Sequence, residues 1–242
     1  MGRPFAGAWL LASLALMGCV GGGGAPSSSA PRQEMDGTPA GGLEPRVFQP
    51  STEAAIQYGE TSMFRPNAAE RSLLSTLTND TRVHAPALSA MTRSLAVGAP
   101  SAGEFPAGLV SGLLAWYGLP DPPPSVFVVE VDDPMCARDP GREECRASLD
   151  ALVAESMGSL PEGEGALFGV GVAATDEGRS RLIVSYLNRA VDLRLVPRAA
   201  ALNARVPIRG VLLGERRAPR VEVVDGQGRL QKLPAVLGSD GS

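Results

Sequence analysis

The 242-residue chain has a single histidine, His84, and this scarcity removes much familiar catalytic chemistry at once. A Ser/His/Asp triad or a Cys/His pair would have to be built on that one ring. It stands in Thr81-Arg82-Val83-His84-Ala85-Pro86, just ahead of a predicted helix, and reads as a surface or capping residue. A Gly-x-Ser-x-Gly elbow is missing, as is any Cys-x-x-Cys. Positive charge is not in excess: the formal net charge is −4, which argues against nucleic acid or an anionic membrane as a polyelectrolyte partner. Beyond the N-terminus no apolar run approaches the ~20 residues that a spanning helix needs. Internal repeats and coiled-coil heptads are missing as well.

What is present begins with an export signal. Arg3 supplies a positive start, and residues 5–17 are almost wholly apolar, the length of a signal-peptide hydrophobic region. The run ends in Leu16-Met17-Gly18-Cys19, which resembles the bacterial lipobox. A small Gly18 gives a peptidase access to the bond, and the Cys19 thiol is the nucleophile that takes up the diacylglyceryl group. The alternative is an ordinary secretory signal followed by a chance cysteine. Residues 20–46 are dominated by Gly, Pro, Ser and Ala. Such a stretch buries too little apolar surface to offset its chain entropy and is expected to be a disordered tether.

With Cys19 acylated, Cys136 and Cys145 remain as a pair around a polar loop containing Pro140-Gly141. In an oxidising compartment a local disulfide is expected. A metal site would need two further ligands, and a redox-active pair would more commonly have Cys-x-x-Cys spacing.

Apolar spacing predicts three helices in the first part of the folded region. One follows the capping residue Asn67 with Leu73, Leu74 and Leu77 inward; one starts at Pro86; one starts after Pro106 and ends at Gly118. Residues 125–131 are a β-branched run and read as a strand, residues 146–157 as a helix, and residues 167–174 and 181–187 as an antiparallel pair. Residues 191–196 alternate and read as one strand, with further strands around 206–213, 221–224 and 230–233. The fold class is therefore α+β. A helical N-terminal part packs on a small sheet in an α-β-α-like arrangement, and a small antiparallel β unit follows. The divisions are a signal peptide over 1–18, lipidated Cys19 and a disordered linker over 19–62, an α/β domain over 63–188, a β-rich unit over 189–236 and a tail over 237–242.

Candidate chemistry is sparse. Asp132-Asp133, near Glu130, and Glu143-Glu144 are acidic pairs that read as weak cation sites or as a solvated rim. Glu162-Gly163-Glu164-Gly165 reads as a loop. Trp116-Tyr117 reads as pocket lining or as core packing at a helix end. Gly169-Val170-Gly171 opens like a dinucleotide loop but lacks the third glycine, and close packing against a helix explains it better.

Phe168-Gly169-Val170-Gly171-Val172-Ala173, with Leu182-Ile183-Val184 after a turn, resembles the closing hairpin of CAP-superfamily domains, the secreted pathogenesis-related 1 type. Asp80-Thr81-Arg82-Val83 leading into Ala87, Leu88 and Met91 is similar to that family's first helices. Residues 67–234 also resemble the domain found upstream of a CAP module in large myxobacterial lipoproteins. Val191-Asp192-Leu193-Arg194-Leu195-Val196-Pro197-Arg198, Gly210, Pro219-Arg220-Val221 and Gly228 carry that likeness. The resemblance implies an α-β-α sandwich in the cell envelope. It implies no active site, because CAP domains present two histidines and two acids in a cleft and this chain has one histidine. The CAP signature segment is also missing after residue 234.

Together these features lead us to expect a non-catalytic, lipid-anchored envelope protein, held at the outer membrane through Cys19, that binds a protein or cell-wall polymer. No cofactor, metal or nucleic-acid partner is expected. The alternative is a cell-wall or peptide hydrolase using Glu130, Asp132 and Asp133, which needs two carboxylates facing one cleft. A third reading has an edge strand within 206–234 completing a partner's sheet, unless Arg205, Arg209 and Arg220 block it.

Overall fold

A computed structural model describes residues 54–59, 62–78, 82–98, 105–201, 204–214, 221–224 and 229–236. The expected signal peptide, Cys19, most of the linker and the tail over 237–242 lie outside them. The described residues form an α+β fold.

Its centre is a four-stranded sheet. Strand β2 (Val83–His84) runs parallel to β4 (Ala166–Ala174), β4 pairs antiparallel with β5 (Ser180–Asn188), and β5 pairs antiparallel with β3 (Ser125–Val131). The spatial order is β2-β4-β5-β3. Side chains alternate across the strands, so each strand feeds two cores. Phe168, Val170, Val172, Leu182 and Val184 face helices α1 (Ala68–Leu77) and α4 (Glu143–Met157). Ala173, Ile183 and Leu187 face α2 (Pro86–Gly98) and α3 (Ala107–Trp116). Helices therefore cover both faces.

The glycines of β4 explain how closely α2 lies on the sheet. A Cβ on Gly169 would fall 2.7 Å from the Ser89 nitrogen, and one on Gly171 would fall 2.5 Å from the Thr92 carbonyl carbon. The Gly-Val-Gly pattern is thus a seat for a helix, as the sequence predicted.

Strand β2 covers only the first part of β4's outer edge, at Leu167 and Phe168. Farther along, helices supply side chains in place of a strand. Ser89 Oγ accepts the Val170 N–H at 2.9 Å, and Glu70 Oε1 accepts the Val172 N–H at 3.0 Å. Asn67 Nδ2 donates to the Val172 carbonyl at 2.8 Å. Glu70 and Asn67 also form the capping box of α1, each bonding the other's backbone N–H. One pair of side chains therefore starts a helix and closes a sheet edge.

The C-terminal part consists of short strands. Residues 191–196, expected as one strand, split where the chain changes partner. Strand β6 (Val191–Leu193) pairs with β8 (Gly210–Leu212), while β7 (Val196–Pro197) pairs with β1 (Gln57–Tyr58). Pro197 has no N–H for a ladder, which suits this two-residue edge pairing. Strands β9 (Val221–Val224) and β10 (Leu230–Leu233) form a separate antiparallel pair.

Strand β1 corrects the expected linker over 19–62 at its C-terminal end. Residues 54–59 are bound to the fold, because the Ala55 N–H donates to the Trp116 carbonyl and the Gly59 N–H to the Gly118 carbonyl, both at 2.8 Å. Gly118 makes this approach feasible: it has φ +67°, and a Cβ there would lie 2.9 Å from Ala55 Cβ. Arg198 then pins the segment by donating from Nη1 to the Ala55 carbonyl at 2.8 Å. The β unit is also joined to the α/β domain by Arg189, whose guanidinium grips both oxygens of the buried Asp121 carboxylate at 2.9 and 2.6 Å.

Candidate functional site

Cys136 and Cys145 are joined in a buried disulfide with a Cα–Cα distance of 5.3 Å. Their sulfurs lie within 4.8 Å of an Asp133 oxygen. The bonded sulfurs are not available as thiolate ligands, so the cluster is a loop clamp. Asp133 completes the clamp. Its Oδ1 accepts the Met135 N–H at 2.8 Å, and Oδ2 pairs with Arg142 at the start of α4.

The acidic residues proposed for hydrolysis do not converge. Asp132 is exposed, while its neighbour Asp133 is buried and held by Arg142. Glu130 points to the other sheet face and is gripped by Arg179 at 2.6 Å and Arg181 at 2.8 Å. Glu143 and Glu144 are exposed in the first turn of α4, where carboxylates complement the helix dipole. In the 162–165 loop, Glu162 pairs with Arg82 at 2.7 Å and Glu164 accepts the Gly214 N–H at 2.9 Å.

Trp116 and Tyr117 separate into different roles. Tyr117 is buried with its hydroxyl 2.5 Å from Ser94 Oγ of α2. This is the core-packing alternative rather than pocket lining. Trp116 is half-buried, and its carbonyl receives residues 54–59 through Ala55.

His84 is neither the surface nor the capping residue expected. It is half-buried between the rings of Phe64 and Phe168, with centroids 5.9 and 5.8 Å away. Its Nε2 lies 2.9 Å from Ser89 Oγ. Burial lowers its pKa, and a neutral ring accepting the Ser89 hydroxyl agrees with that shift. This Ser–His contact has the atoms of a nucleophile and a base. The serine, however, is fully buried and its oxygen already accepts the Val170 N–H, so the pair fixes a strand edge.

A feature the sequence reading missed lies in the β unit. Residues 189–236 hold ten arginines and lysines against four acids, a net of +6 within a chain of net −4. Averaging over the whole chain hid this segregation; a domain-by-domain charge count would have found it. One step beyond the β6–β8 ladder, Arg194 donates its backbone N–H to the Arg209 carbonyl at 2.9 Å. The two arginines are thus directly opposed across the strands, and both are exposed. By strand alternation they share the outer face with Asp192 and Val211, while Val191, Leu193 and Leu212 are more covered. Among the described residues neither arginine has an ion-pair partner, in contrast to Arg82, Arg93, Arg142, Arg179, Arg181 and Arg189. Arg205 and the apolar Leu195 and Ile208, on the adjoining segments, are also exposed. Arg220 lies outside the described residues.

Comparison with protein-family models, curated proteins and solved structures finds no match.

Proposed function

We propose that this protein is a non-catalytic envelope lipoprotein, tethered through Cys19, whose folded region binds or assists a partner at the cell surface. The observation that carries the reading is Leu16-Met17-Gly18-Cys19 at the end of an apolar run, followed by a Gly/Pro/Ser-rich stretch. The fold adds support from the commitments of its reactive groups. Ser89 is buried on a strand N–H, Glu130 is held by two arginines, and Asp133 is locked into the disulfide loop. Among the described residues no helix is long and apolar enough to cross a membrane, so a lipid on Cys19 would supply the attachment. The short motifs similar to CAP-superfamily domains agree with a location in the envelope.

The test is metabolic labelling with a radioactive fatty acid in wild type and Cys19→Ser cells, followed by fractionation. The expected result is label and membrane recovery in wild type, both lost in Cys19→Ser. Unlabelled wild-type protein, or unchanged localisation of Cys19→Ser, would sink the reading.

A further inference from the structure

We infer that the outer face of the β6–β8 unit, around Arg194 and Arg209, is a docking surface for the anionic phospholipid headgroups of the membrane that holds the anchor. The inference rests on the tethered reading above and adds a second, electrostatic contact with the same membrane.

Three observations point to this occupant. The first is chemistry. Arg194 and Arg209 place like charges opposite each other across paired strands, an arrangement that is unfavourable without a counter-charge. Guanidinium groups match the planar, bidentate geometry of phosphate oxygens. Asp192 on the same face is engaged by Arg189 at 3.5 Å.

The second is the company these arginines keep. Val211, on the same face, is 39% exposed, and Leu195 and Ile208, the chain neighbours of the two arginines, are 59% and 45% exposed. Exposed apolar side chains next to arginines suit the boundary between headgroups and acyl chains, where one part of a surface is wet and the other is not.

The third is position. A Cβ on Gly59 would lie 3.1 Å from the Leu193 carbonyl oxygen and 3.9 Å from the Arg194 carbonyl carbon. Strand β1, which includes Tyr58, pairs with β7 three residues beyond Leu193. The chain from Cys19 therefore joins the fold at Ala55, beside Trp116 and Arg198, and the far end of the same segment, Gly59, lies beside the arginine pair. A tether that joins the fold through this segment would attach to the same β unit that carries the arginines.

The net charge of −4 argued against an anionic membrane as a partner of the whole chain. The +6 of residues 189–236 restricts that argument to the other parts of the molecule, which hold the balance of −10. Repulsion of those parts from an anionic surface would orient the α/β domain outward.

The experiment uses residues 20–242, which retain every described residue and lack both the signal and Cys19. The protein is floated with vesicles of phosphatidylcholine and phosphatidylglycerol in equal parts, and separately with phosphatidylcholine alone. Binding to the mixed vesicles only, released by high salt, is expected. Arg194→Gln/Arg209→Gln should lower partitioning about twentyfold, with an unchanged melting temperature because both side chains are exposed. Leu195→Ser should weaken it less. The inference is overturned by failure of the wild type to bind mixed vesicles, by equal binding to phosphatidylcholine, or by full binding of the double variant. Light scattering of the same samples covers a second copy as occupant: a wild-type dimer that the double variant dissolves, without vesicle binding, also overturns it. Since this protein has no Cys19, the vesicle result is independent of whether fatty-acid labelling succeeds.

Discussion

Glu70 on α1 and Val172 on β4 are joined by a hydrogen bond of 3.0 Å between a fully buried carboxylate and a strand N–H. The same carboxylate accepts from the Arg93 guanidinium, which lies over the Phe64 ring at 4.4 Å. Removing it leaves a strand N–H and a largely covered cation without their acceptor. Glu70→Ala should cost about 3 kcal/mol, toward the lower end for breaking a buried pair because Arg93 retains some solvent contact and its bond to the Arg65 carbonyl. Glu70→Gln retains an oxygen for Val172 and should cost less. Urea unfolding midpoints of the two variants check the order; equal losses would assign the effect to charge alone.

The glycines of β4 and those of α3 should respond in opposite directions. Gly171→Ala forces a methyl into the backbone of α2 and should destabilise by about 1–3 kcal/mol, or more if the helix cannot shift. Gly112 lies inside α3, is exposed, and has no atom within 4 Å of a Cβ position. Gly112→Ala should therefore stabilise by about 0.5–1 kcal/mol. Thermal melts of the two variants read the contrast directly.

The disulfide closes a short loop, with a sequence separation of 9. Loop-closure entropy puts its contribution at about 2–3 kcal/mol. A reductant should lower the melting temperature of the wild type and leave that of Cys136→Ser/Cys145→Ser unchanged. A wild type indifferent to reductant would remove the disulfide from the stability of the fold.

His84 gives the protein one imidazole transition. Its pKa is lowered in the fold by burial, so near and below about pH 6.5 the unfolded chain binds the proton more readily. The stabilising contribution is present above the unfolded value and is lost as pH falls toward the folded one. Melting temperature should thus decline as pH is lowered from 7 through 6, and His84→Asn should flatten that part of the curve. Carboxylates add their own slope at lower pH, so the comparison between variants carries the test. Identical profiles would place the titration elsewhere.

Much of this fold is written locally. Strand β3 has the predicted bounds because a β-branched run between a proline cluster and an acidic turn has few alternatives. Helix α4 begins at Glu143, before the predicted Arg146, because Glu143 and Glu144 fill its first turn. The capping box was present as Asn67-Ala68-Ala69-Glu70, yet its second function depends on Val172, which no local pattern brings near. Strands β1, β2 and β7 have two residues each, too short for any periodicity, and exist through distant partners. The arginine face escaped for a different reason: opposition of Arg194 and Arg209 follows from strand register, and their excess charge was cancelled in the total.

The grip of residues 196–198 on residues 54–59 also sets an order of assembly. Arg198 and Ala55 are 143 positions apart, so the contact cannot form until nearly all the chain between them has emerged and folded. Contacts of such separation form late, after the local helices and the β4–β5 hairpin have reduced the loop to be closed. A chain made from its N-terminus therefore presents residues 54–59 early and fastens them near the end. Loss of residues 189–236 would leave the α/β domain without the strand that receives β1, and would free residues 54–59 from their partner on that side.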